Sequence, residues 1–115
     1  MRTIIIASLV AAAFATPALA SDRNGFQAIA AGDYQTAERT LLNERRIFPN
    51  RPELMINLAT VYARTGRATE AATLYRAAVE AEDVEMAMPN GDVTSSRVVA
   101  QRGLQRLGGV AVATR

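Results

Sequence analysis

The residues equipped for chemistry are few. General acid–base catalysis most often uses His, and nucleophilic catalysis uses Cys, or Ser activated by a neighbouring base. The 115-residue chain contains no His and no Cys, and its 13 basic residues are all Arg. Carboxylates are the remaining acid–base option. Asp22, Asp33 and the run Glu80, Glu82, Asp83 and Glu85 stand at expected helix ends, where capping and solvated roles are commoner than a carboxylate pair held across a cleft. Gly108-Gly109 lacks the following helix and lysine of a phosphate loop. Asp83, Glu85, Asn90 and Asp92 depart from the spacing of a calcium loop, and a zinc site has no thiolate or imidazole to draw on. These residues point to a protein that is not an enzyme and needs no cofactor and no metal.

The elements around them begin with MRTIIIASLVAAAFATPALA. Arg2, an apolar run from Ile4 to Phe14 and the small-x-small triplet Ala18, Leu19, Ala20 have the layout of a secretory signal peptide. Cleavage is expected before Ser21, leaving a periplasmic or secreted protein. A spanning helix needs about 20 apolar residues, and Thr16-Pro17 interrupts this run, so contact with a membrane is expected only through the uncleaved segment. Residues 21–115 suffice for one small domain. With 11 acidic residues and a net charge of +2, which loss of Arg2 lowers further, the chain lacks the concentrated basic face of a nucleic-acid binder.

Self-similarity organises the middle of the chain. AAGDYQTAERTLL, from Ala30, is echoed by ARTGRATEAATLY with matching residues 34 positions later: Gly32 with Gly66, Ala37 with Ala71, Leu41 with Tyr75, and upstream Gly25 with Ala59. In the second unit Leu54, Met55, Leu58, Val61 and Tyr62 recur at helical spacing, Gly66 breaks the pattern, and Ala71, Leu74, Tyr75, Ala78 and Val79 resume it. Leu58, Ala59, Tyr62, Gly66, Ala71 and Tyr75 resemble the pattern of the tetratricopeptide repeat, a pair of antiparallel helices. In physical terms Ala59 and Ala71 allow close helix approach, Tyr62 and Tyr75 fill the space beside them, and Gly66 ends the first helix in a left-handed conformation.

The expected fold is therefore all-α, an α-α superhelix of two such hairpins over about 21–51 and 52–85, joined by Pro49-Asn50-Arg51-Pro52. Pro52 opens a helix, where a missing N–H costs nothing. A third unit would put its turn glycine at Ala100 and its small alanine at Gln105, so the repetition stops. In its place VEMAMPNGDVTS, Val84 to Ser95, alternates apolar and polar residues around Asn90-Gly91 and reads as a short β-hairpin over 84–94, turning on Asn90-Gly91, with Val84, Met86 and Met88 on the covered side. Ser95 then caps a helix over 95–107 that covers the end of the stack. Ser96, Ala100, Gly103, Leu104 and Leu107 share its covered face, Val99 lies at the edge, and Arg102 and Arg106 lie on the far side. Residues 108–115 are expected to form a loose tail.

What the resemblance implies about function is protein recognition. In tetratricopeptide proteins the first helices of each pair line a groove for a peptide or helix. The corresponding candidates are Phe26 and Ile29 in the first unit and Glu53, Ile56, Asn57, Thr60 and Arg64 in the second. The carboxylate clamp of some family members uses Lys and Asn. This chain has no Lys, and Thr60 stands where Asn would be needed. The expected partner is a protein or peptide of the cell envelope. Because stable stacks usually need at least three repeats, a homo-oligomer formed through the open repeat end is the alternative.

Overall fold

The computed structural model describes residues 25–113, and the leader expected over 1–20 lies outside them. Five helices and one hairpin follow in order: α1 Phe26–Ala30, α2 Tyr34–Ile47, α3 Pro52–Arg64, α4 Ala68–Glu80, β1 Glu85–Ala87, β2 Val93–Ser95 and α5 Ser96–Ala113. Successive helices pack on one another, and α5 lies against both α4 and α3.

The repeat is visible in individual hydrogen bonds. α1 ends with Gly32 at φ +78°, and the next amide, Asp33 N–H, donates to the Ala28 carbonyl at 2.8 Å. Thirty-four residues on, α3 ends with Gly66 at φ +79°, and Arg67 N–H donates to the Tyr62 carbonyl, also at 2.8 Å. Both are the same left-handed helix stop, in which the amide beyond the glycine reaches back to an otherwise orphan carbonyl. Short links then reverse the chain into α2 and α4, as connections between neighbouring helices do. Asp33 caps α2 by accepting from Thr36 N–H at 3.3 Å, and the Thr36 hydroxyl first, with this amide second, holds its carboxyl below the usual carboxylate range. Pro52 occupies the first turn of α3, as its missing N–H allows.

Small residues form the seam of the core. Ala37, Ala59, Ala71, Ala78 and Ala100 have no exposed surface, and Leu41, Leu58 and Val61 fill the space between them. Across the two units the seam is tied by Arg67. Its guanidinium binds both carboxylate oxygens of Glu38 on α2, one of them at 3.1 Å, and lies over the Tyr62 ring at 4.5 Å from the centroid. The hydrogen bond from Arg67 keeps Glu38 ionised to lower pH than usual. A planar fork suits this two-point contact better than an ammonium would.

The hairpin forms, but on a different turn from the one its Asn90-Gly91 pair suggests. The register pairs Glu85 with Ser95, Met86 with Thr94 and Ala87 with Val93. Gly91 N–H donates to the Met88 carbonyl at 2.9 Å, which places Pro89 and Asn90 at the centre of the turn, and only Gly91 has positive φ, +90°. This is the three-residue connection in which a glycine bulge follows a type I turn; Pro89 favours it because its ring presets the φ needed at the first central position. Val84, Met86 and Met88 are half-buried while Glu85, Ala87 and Val93 are exposed, as the alternation requires.

The hairpin delivers the chain to a clasp. Ser95 Oγ caps α5 by accepting from Val98 N–H at 3.1 Å. Ser96 has no exposed surface; its hydroxyl accepts from Val84 N–H at 2.9 Å and donates to Asp83 at 3.2 Å. Asp83 also accepts from the Arg97 N–H at 3.1 Å, and the Arg97 guanidinium donates to the carbonyls of Val79 and Ala81 at the end of α4. An acid at the start of one helix and a cation at the end of another both suit the helix dipoles. Chiefly through the Arg97 amide, Asp83 is held below the usual carboxylate range. The acidic run therefore has one structural member, Asp83, where the sequence suggested only a solvated helix end.

α5 runs on to Ala113, beyond the end expected at Leu107. The Gly108-Gly109 pair does not stop it, because neither glycine takes the left-handed conformation that terminates α1 and α3. Residues 114 and 115 of the expected tail lie outside the described residues. The face of α5 is as its spacing predicts: Ser96, Ala100 and Gly103 are buried, and Leu104 and Leu107 half-buried. Gly103 is a requirement of packing. A Cβ there would lie 2.4–2.7 Å from three atoms of the Tyr75 ring, whereas Gly108 and Gly109 have open space around them.

These contacts make stability predictions. Gly103→Ala is expected to lower the urea midpoint, because overpacking costs about 1–3 kcal/mol against a helix-propensity gain of about 1 kcal/mol; Gly108→Ala, with the same gain and no clash, is expected to raise it. Ser96→Ala is expected to cost about 1–3 kcal/mol, since the half-buried Val84 N–H loses its acceptor. For Asp83 the folded pKa is the lower one, so its contribution is present at neutral pH and is lost as acid protonates the folded form, below about pH 4. Asp83→Asn should flatten the loss of stability measured by chemical denaturation over that acid range.

Candidate functional site

Three of the carboxylates considered for chemistry have structural duties. Asp33 caps α2 and Asp83 holds the clasp, while Asp92 pairs with Asn90 across the hairpin turn at 3.0 Å. Asp22 lies outside the described residues. Among the described residues no group of three or more His, Cys, Asp or Glu is placed to hold a metal ion. The clefts between the helices are surfaces that could recognise shape and charge.

Such a surface lies between α3 and α5. A groove of about 470 Å³ is lined by Thr60, Ala63 and Arg64 of α3, by Gly66 and Ala68 at the link into α4, by Tyr75 of α4, and by Gly103, Arg106 and Leu107 of α5. Its floor is organised by one hydrogen-bonded pair. Thr60 Oγ1 donates to the Ile56 carbonyl at 3.0 Å, which leaves it as acceptor for the Tyr75 hydroxyl at 3.2 Å. The ring of Tyr75 is thereby held under the bare Gly103, and the groove stays open above it. Arg64 stands at one rim, with its guanidinium donating to the Tyr34 hydroxyl of the first unit at 3.2 Å. Arg106 stands at the other. Among the described residues no acidic side chain lines the groove, and the Arg67–Glu38 pair is the sole ion pair, so none of these residues neutralises either rim cation.

The structure divides the seven candidates read from the sequence. Thr60 and Arg64 line the groove. Asn57 and Glu53, half-buried, continue the same stripe of α3 toward its start at helical spacing. Ile56, 3% exposed, is part of the core and offers no surface to a partner. Phe26, 45% exposed, and the half-buried Ile29 lie on α1 in the first unit and are not among the groove's lining residues.

The residues of α5 that complete the groove escape a reading confined to the repeats. Gly103 and Leu107 fall on the face of α5 identified from its spacing; Arg106, which shares a second cavity with Arg102, also reaches the groove. The signal for this is present in the sequence: Arg106 follows Val99 by seven residues, nearly two turns, and so shares the edge position of Val99. Ala63 and Tyr75 carry no such signal, because a small residue and a buried aromatic are ordinary core positions in any helix pair.

No curated protein and no solved structure matches the chain at a significant level. A family model described as tetratricopeptide repeat matches residues 28–87, from the middle of α1 to the end of β1. That span covers more than half of the chain and contains both left-handed helix stops, the alanine seam of the two units and the Arg67–Glu38 tie, so the chain belongs to the tetratricopeptide repeat family, whose members serve as protein–protein interaction modules.

Proposed function

We propose that this protein is an exported, non-enzymatic module that binds a peptide or helix of a cell-envelope partner in the groove between α3 and α5. The observation that carries this reading is the groove itself. An apolar floor of Ala63, Tyr75, Gly103 and Leu107 lies between two rim arginines, with no acidic residue among the described residues of the lining. Apolar floors with a few fixed polar groups suit helix or extended-peptide capture, and arginines with free donors give such a site its orientation. Export is supported by the leader-like residues 1–20, with cleavage before Ser21. Pull-down with the protein from envelope extract is the direct test. Arg64→Glu and Arg106→Glu should each lose the recovered partner, while Arg76→Glu, on an exposed position away from the groove, should retain it. Equal recovery by all three variants removes the groove from the function.

A second reading rests on a different observation. Phe26 and Ile47, 45% and 65% exposed, belong to the first unit, which no further helix covers among the described residues. Two copies joined through this end would give a homodimer whose repeats form a longer stack. Sedimentation equilibrium over a wide concentration range distinguishes the two: a folded monomer throughout excludes self-assembly, and a dimer abolished by Ile47→Asp supports it.

A further inference from the structure

A separate groove of about 340 Å³ lies between α2 and α4 and shares no lining residue with the groove between α3 and α5. Its apolar wall is made by Leu42, Leu58, Tyr62 and Leu74, and Leu42 is 40% exposed. Arg45 also lines it, and the Nε of Arg45 is buried without a hydrogen-bond partner. Among the described residues the Arg45 guanidinium makes no hydrogen bond and no ion pair.

Such an atom is costly. A guanidinium stays charged at any physiological pH and presents donors in a fixed fork, and a buried donor left unmade forfeits its hydration with nothing in return. The C-terminal dipole of α2 does not account for the position, since the exposed Arg46 beside it in the same last turn serves the dipole as well. Glu70 lines the groove but is not within ion-pair distance of Arg45, and its charge acts on Arg67 instead. An apolar wall beside an unanswered cation is complementary to a carboxylate next to an apolar side chain.

We propose that the groove between α2 and α4 is a second docking surface, taking a helical segment of a partner protein in which a Glu or Asp pairs with Arg45 while a neighbouring Leu-type side chain packs on Leu42 and Leu74. Residues one turn apart on a helix meet the surface together, and the groove has room for about that much of a partner. The site would let one small module hold two partners, or two segments of one partner, at once.

The test uses the full chain and a defined probe: an N-acetylated, amidated alanine-based helical peptide with one Leu and one Glu four residues apart, and the same peptide with Gln in place of Glu. Both are titrated while the arginine side-chain N–H and leucine methyl resonances are followed by NMR. The Glu peptide is expected to shift the Arg45 Nε–H and the Leu42 and Leu74 methyls saturably, and to bind at least about tenfold more tightly than the Gln peptide. Arg45→Gln should abolish that preference without changing the urea midpoint by more than a small amount. Equal affinity for the two peptides, or no saturable shift, overturns the proposal. Shifts confined to Arg64 and Arg106 overturn it too while leaving the groove between α3 and α5 as a binding site. Concentration-dependent shifts at Arg45 and Leu42 without peptide would make the occupant a second copy of the chain, which likewise overturns it.

Discussion

The ring of Tyr75 occupies the space where any side chain on Gly103 would have to be, and the position of the last helix depends on that contact. Tyr75 is held from the other side by Thr60, so α3, α4 and α5 meet at one point. Because α5 carries only hydrogen there, it settles close enough to bury Ala100 completely and to close the end of the second unit. The same contact leaves a groove rather than a packed seam between α3 and α5. The feature that stabilises the stack and the feature that offers a surface are therefore one arrangement.

Two polar ties keep this arrangement in register. At the start, Arg67 links the turn of the second unit to Glu38 of the first. At the end, Asp83, Ser96 and Arg97 lock the beginning of α5 to the last turn of α4. With no cysteine in the chain to form a disulfide, small residues at the helix contacts and hydrogen bonds at the helix ends carry the organisation. A stack of two units has proportionally more exposed end than a long array, and repeat proteins draw their stability from neighbour contacts. A terminal helix fastened by three side chains is a physically reasonable answer at one end.

Much of this fold is legible in the amino-acid pattern. The period of 34 residues predicts both left-handed glycines and the buried alanines, since each follows from local backbone need or from close helix approach. The covered face of α5 and its cap at Ser95 follow equally from spacing. The turn of the hairpin does not, because Asn90-Gly91 is compatible with two connections and the choice lies with Pro89, whose ring presets φ one position earlier. The end of α5 does not either, as Gly-Gly permits a stop without compelling one. For the site, Thr60 and Arg64 are found from the repeat, whereas Ile56 is lost to the core because the covered face of a helix is wider than a two-residue stripe.

By itself the sequence determined the repeating helical pairs, their links and the presence of a covering helix. These depend on contacts within about 34 residues, the repeat period, and on side-chain size. Only the tertiary structure decided which surfaces remain open. The approach of α5 to Tyr75 brings Arg106 into one groove with Arg64, and the packing of α2, α3 and α4 leaves the buried Arg45 Nε without a hydrogen-bond partner among the described residues. Both outcomes depend on residues far apart in the chain, whose distances are set by packing and not by spacing.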